Sequence, residues 1–67
     1  MKIILNNNNV EIEHEEISVN DLLIVQKYTF KMLIIKINGK LVRKPEYEST
    51  FIKDGDKVDV IHLISGG

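Results

Sequence analysis

Apolar residues fall along the chain in short bursts separated by polar stretches, and each burst carries the periodicity of one secondary-structure element. Met1-Lys2-Ile3-Ile4-Leu5 is rich in β-branched residues and stops at Asn6-Asn7-Asn8-Asn9, residues that tolerate turn conformations. Val10-Glu11-Ile12-Glu13 then alternates with period two, which predicts a half-buried strand antiparallel to the first. Ser18-Val19-Asn20-Asp21 has the spacing of a capping box: Ser18 accepts from the amide of Asp21, and Asp21 reaches back to the amide of Ser18. Ile17 and Leu22 are placed to form the accompanying hydrophobic staple. Val19, Leu22, Leu23 and Gln26 share a stripe, so a short amphipathic helix is expected to about Tyr28, its end falling between Gln26 and Met32.

The second half repeats the hairpin theme. Leu33-Ile34-Ile35-Lys36-Ile37 is an apolar strand, Asn38-Gly39 is the strongest hairpin signal in the sequence, and Lys40-Leu41-Val42 returns. Arg43-Lys44-Pro45-Glu46-Tyr47 breaks the pattern, with Pro45 suited to the start of a helical turn and Tyr47 placed to pack back. Phe51-Ile52 precedes Asp54-Gly55-Asp56, a tight turn that launches a final strand from Lys57 to Ile64. The expected order is β-β-α-β-β-turn-β. Alternation in the last strand points Val58 and Val60 at the helix and turns Asp59, Ile61 and Leu63 to the opposite, open face; Ile34 turns outward by the same parity. Ile34, Ile61 and Leu63 together make a candidate docking surface, unless a bulge buries them.

A 67-residue chain with 43% hydrophobic residues supports one compact core and leaves no room for a deep, walled active site. Function therefore belongs on the surface. A net charge of -1 with 28% charged residues is neither a basic nucleic-acid binder nor a membrane-surface peptide, and 6% aromatics offers little for base stacking. The lack of cysteine excludes a disulfide framework, a thiolate metal site and internal thiol chemistry. It suits a reducing cytoplasm, and no secretory leader or run of about 20 apolar residues argues otherwise. A cytoplasmic protein, monomeric on its own, is expected.

Most chemistry-bearing residues have simpler roles. His14 and His62 are too far apart in sequence for a local ligand pair, so no metal site is expected. Ser18, His14 and Asp21 are the residue types of a hydrolytic triad, but Ser18 and Asp21 already cap a helix and nothing shapes an oxyanion hole. Asp54-Gly55-Asp56 lacks the further oxygen ligands of a calcium loop. Glu11, Glu13, Glu15 and Glu16 read as a solvated strand edge that discourages edge-to-edge pairing, with steering of a basic partner as the second reading. A stand-alone enzyme is not expected, since no acid-base pair or activated nucleophile is present.

The terminal residues are different. Gly66-Gly67 follows directly on the closing strand, has no side chains to obstruct a narrow channel, and ends in an α-carboxylate. Residues 1–64 are expected to form one domain, with Ser65, Gly66 and Gly67 as a flexible tail. Run out extended, that tail carries its carboxylate roughly 10 Å beyond the domain.

Ile37-Asn38-Gly39-Lys40-Leu41-Val42, the turn through Tyr47, Gly55-Asp56-Lys57-Val58 and the closing Ile64-Ser65-Gly66-Gly67 together resemble the sulfur carrier proteins of thiamine biosynthesis, the ThiS-like branch of the ubiquitin-like β-grasp proteins. The resemblance spans essentially the whole chain and is most specific from Ile37 onward. It implies an α+β, ubiquitin-like β-grasp fold, a mixed sheet with one main helix packed on one face. It also implies chemistry at Gly67 catalysed by others. A ThiF-like adenylating enzyme would consume ATP to activate the carboxylate, and sulfur drawn from cysteine through a desulfurase would convert it to a thiocarboxylate. A ThiG-like thiazole synthase would then take the sulfur. No bound cofactor is implied for the carrier itself. Ile34, Ile61 and Leu63 would serve as the shared docking surface. Two alternatives stand beside this: a carrier for another pathway such as molybdopterin synthesis, whose small subunits are generally longer and tend to carry a proline pair before the end, and a β-grasp module that binds a partner without covalent chemistry. The bulky segment Tyr28-Thr29-Phe30-Lys31-Met32 departs from the family pattern.

Overall fold

Both hairpins reverse on residues that accept positive φ. Asn6 (φ 49°) and Asn7 (φ 66°) link the first two strands, and Asn38 (φ 52°) with Gly39 (φ 82°) links the second pair, as a type I′ turn requires. The computed structural model describes residues 1–28 and 32–63. Its strands are β1 (Lys2–Leu5), β2 (Asn8–Glu11), β3 (Glu16–Ser18), β4 (Leu33–Ile37), β5 (Lys40–Val42), β6 (Phe51–Lys53) and β7 (Lys57–His62). Helix α1 (Val19–Val25) follows β3, and a 3-10 turn (Lys44–Glu46) follows β5. Only Asn6 and Asn7 form the first turn. Asn8 and Asn9 continue into β2, which therefore starts two residues before the expected alternation.

The main sheet has five strands in the order β2-β1-β7-β4-β5. β1 pairs with β7 in parallel, and every other pairing in this sheet is antiparallel. This mixed sheet with one helix is the β-grasp arrangement. Val19, Leu22 and Leu23 of α1 join Ile3, Leu5, Ile35, Val42, Val58 and Val60 in one buried cluster, so the helix covers one face of the sheet. Ile35, Leu22, Ile52, Val19 and Val58 are 0% exposed. No described helix is long and apolar enough to cross a membrane.

Two local expectations fail. β3 and β6 form a separate two-stranded antiparallel sheet, Glu16 opposite Lys53, Ile17 opposite Ile52 and Ser18 opposite Phe51. Each strand has three residues, too few for a period-two signal, and buried Ile17 and Ile52 supply its apolar contribution. Helix α1 stops at Val25 rather than near Tyr28, and Gln26, expected on its apolar stripe, is an exposed C-cap. The Tyr28 amide donates to the Leu23 carbonyl (2.8 Å) and the Lys27 amide to the Ile24 carbonyl (3.1 Å), with Lys27 at φ 59°. That is a Schellman cap with lysine at the left-handed position that glycine usually fills, which hid the stop from a sequence reading. At the other end the Asp21 amide donates to Ser18 Oγ (3.0 Å), the serine half of the expected box.

Two substitutions test these caps by urea denaturation. Ser18→Ala is expected to lower the unfolding free energy by about 1 kcal/mol. Lys27→Gly is expected to raise it, by up to about 1 kcal/mol, because glycine occupies the left-handed region without the penalty a Cβ incurs.

Candidate functional site

Strand β7 carries the chain toward its final residues, and its parity determines what surrounds them. Val58 and Val60 point into the core, while Ile61 (44% exposed) and Leu63 (40%) lie on the face away from α1. Ile34 of β4 sits directly opposite Ile61, and one step further back Lys36 is opposite Asp59. Residues directly opposite in a sheet share a face, so Ile34, Ile61 and Leu63 form an apolar patch at the end of β7, and no bulge interrupts the register. The patch is local. Ile4, also exposed on that face, lies beside Lys57 at the other end of the strand. The Leu63 amide donates to the Met32 carbonyl (2.9 Å) and extends the β4–β7 ladder one bond past the strand's end.

Sequence reasoning gave the asparagines no role beyond turns, and there it missed two. Asn6 accepts from the Val60 amide through Oδ1 (2.8 Å), donates its side-chain amide to the Tyr28 hydroxyl (3.2 Å), and donates its backbone amide to the Val58 carbonyl (2.9 Å). β1 has ended by then, so Asn6 stands in for a further residue of β1 beside β7 and ties β7 to the end of the helix. Asn38 acts alike at the start of β7: its Oδ1 accepts from the Lys57 amide (2.9 Å) and its backbone amide donates to the Lys57 carbonyl (2.7 Å). The available signal was an asparagine at the first turn position after a strand bordering the central one.

The turn acids are likewise occupied by backbone amides. Asp54 Oδ1 accepts from Lys2 (2.7 Å), Asp56 Oδ2 from Lys53 (2.9 Å), and Asp56 Oδ1 from the Asn38 side chain (3.1 Å). Among the described residues no three His, Cys, Asp or Glu side chains gather as a metal site. Ser18 is buried with its hydroxyl committed to the helix cap. Glu11, Glu13, Glu15 and Glu16 are all exposed, Glu11 on edge strand β2 and Glu16 across from Lys53. Burial pushes the Tyr47 phenol above its ordinary 10.0, keeping it neutral at physiological pH. The expected tail, Ser65, Gly66 and Gly67, lies outside the described residues.

The family model described as the ThiS family matches residues 3–67. The chain belongs to the ThiS family. Members of the ThiS family are small sulfur carrier proteins and not enzymes. Among curated relatives, the chain is 34% identical over 53 residues to an uncharacterized protein of Porphyra purpurea, covering 79% of this chain and 75% of that one. It is 25% identical over 63 residues to the sulfur carrier protein ThiS of Bacillus subtilis, covering 94% and 96% of the two. Among solved structures it is similar to the crystal structure of the thiamine biosynthesis protein ThiS from Geobacter metallireducens, with a TM-score of 0.90, 25% identity and all of both chains covered. The solution structure of a thiamine biosynthesis protein from the same organism gives a TM-score of 0.80 at 25% identity, covering 100% of this chain and 88% of that one.

The strand parity is open to a direct check by thermal unfolding. Val60→Asp is expected to unfold the ThiS-family domain at room temperature, because it buries an unpaired carboxylate, whereas Ile61→Asp changes stability by about 1 kcal/mol or less.

Proposed function

We propose that this ThiS-family protein carries sulfur as a thiocarboxylate on Gly67 and delivers it for assembly of the thiamine thiazole ring. Membership of the ThiS family, through residue 67, is the observation that carries this reading. A ThiF-like enzyme supplies ATP: an oxygen of the Gly67 carboxylate attacks the α-phosphorus, pyrophosphate leaves, and the carbonyl gains AMP as a good leaving group. The terminal sulfur of a persulfide, charged by a cysteine desulfurase, then attacks the carbonyl carbon. AMP departs, and a thiol reduces the resulting acyl disulfide to the thiocarboxylate. A ThiG-like thiazole synthase takes that sulfur. The carrier needs no cysteine for any of these steps and has none.

Its own contribution is recognition and reach. Ile34, Ile61 and Leu63 dock on successive partners, supported by their shared face at the end of β7 beside the tail. From Leu63, a fully extended segment of four residues spans at most about 14 Å, enough to place Gly66 and Gly67 in a narrow cleft while the patch stays on the partner's surface. The setting is the cytoplasm.

Incubation with ATP, a sulfur source and the ThiF-like enzyme of the same cell is expected to raise the intact mass by the exchange of one oxygen for sulfur, located at Gly67. Removal of Gly66-Gly67 abolishes the gain and leaves the unfolding transition unchanged. Ile61→Asp with Leu63→Asp slows the modification about tenfold or more without unfolding the protein. Function that survives loss of the two glycines overturns the carrier reading in favour of a non-covalent module. Modification with delivery to molybdopterin synthesis instead of thiazole redirects it to the other pathway.

A further inference from the structure

A second apolar surface lies around the edge of the sheet from the docking patch. A groove of about 780 Å³ runs between α1 and the segment that leaves β5, with Leu23 and Ile24 on one wall and Tyr47 on the other. Chain lengths create it. β5 ends at Val42, opposite Ile35, and the chain turns away into the 3-10 turn at Lys44, so β4 continues past its neighbour. The residues of β4 alternate in the side to which they direct their backbone groups. The Asn38 amide binds Lys57 and the Met32 carbonyl binds Leu63, so even-numbered residues from 32 to 38 address β7. Leu33, Ile35 and Ile37 therefore address the β5 side, where Ile35 meets Val42 and Ile37 meets Lys40. Among the described residues no strand lies opposite Leu33 on the β5 side, and by this alternation its N–H and C=O point toward the groove. Such an edge is a template for one more strand.

Charge narrows what fits there. Among the described residues, the charged ones lining the groove are Arg43 and Lys44, both exposed and both cationic, against an otherwise mainly apolar wall. Glu46, the nearest acid in sequence, turns its carboxylate to the Arg43 amide (3.0 Å) and is not among the lining residues. We propose that the groove receives an extended segment of a protein partner, which adds as a short strand beside Leu33, seats alternate apolar side chains between α1 and Tyr47, and sets an Asp or Glu against Arg43 and Lys44. The proposal does not depend on the fate of Gly67. Ile34 and Leu63 line both the groove and the docking patch, so a partner held in the groove lies beside the root of the tail, at high effective concentration for a second contact.

The probe is the peptide acetyl-Ser-Val-Ile-Val-Leu-Asp-Glu-amide, titrated into the full ¹⁵N-labelled chain with no enzyme or ATP present. Saturable shifts of the Ile24, Leu33 and Arg43 amides are expected, weakening as salt is raised. Replacing the peptide's two acids by lysines weakens binding about tenfold, and so does the Arg43→Glu, Lys44→Glu variant with the original peptide. A peptide with proline for its second valine loses binding, because proline cannot donate to a ladder. The paired peptides test charge and backbone on the unaltered protein, so they decide the matter even if the variant folds poorly. No saturable shift up to millimolar peptide, a shift centred on Ile61 instead of Leu33, or equal binding of the acidic and lysine peptides overturns the proposal. None of these outcomes bears on the carrier reading, which concerns Gly67.

Discussion

The fold depends on a short parallel contact: Ile4 beside Lys57 and Leu5 beside Val58 are the matched pairs that join the first hairpin to the last strand. Parallel pairs are slightly weaker per residue than antiparallel ones, and this one closes almost the full length of the chain. Its reinforcement comes from outside the ladder. The Ile4 amide donates to the Asp56 carbonyl (2.9 Å) at one end, and Asn6 carries the contact on to Val60 at the other. Lys2 is gripped by the same turn, its amide on Asp54 and its carbonyl on the Gly55 amide (2.7 Å). With β7 held on both sides, α1 can cover one face of the sheet while Ile4 and Ile61 of the opposite face stay exposed.

That division of faces suits a small sulfur carrier of the ThiS family that is not itself an enzyme. Asp54, Asp56 and Glu46 hold backbone amides, the one buried polar side chain among the described residues is a helix cap, and Ile61 and Leu63 stay exposed where β7 ends. A domain this small has little internal volume, so specificity falls to its surface.

Much of this was legible in the sequence, for identifiable reasons. The hairpin at Asn38-Gly39, the cap at Ser18 and the alternation of Val58, Val60 and Ile61 rest on short-range physics, and each lies in the structure where its local pattern put it. What escaped depends on partners distant in sequence or on residues in unusual roles. Ile17 and Ile52 show no strand signal alone and form a ladder because each finds the other 35 positions away. Lys27 ends the helix in a conformation that lysine seldom adopts, and Asn6 looks like one of four equivalent turn residues until β7 is laid beside it. The ThiS-family motif was readable as a string, whereas the groove beside Leu33 was not, since it arises from where β5 stops relative to β4.

The position of β7 also has a mechanical consequence. Any pull applied beyond Leu63 enters the molecule along β7, which is flanked by β1 and β4. Ladder hydrogen bonds run across the strands, so such a load is shared among many of them at once and β7 cannot be peeled off one bond at a time. The strand that leads to the last residues is the one the sheet is best arranged to anchor, and the domain can transmit tension from there into its core while keeping its shape.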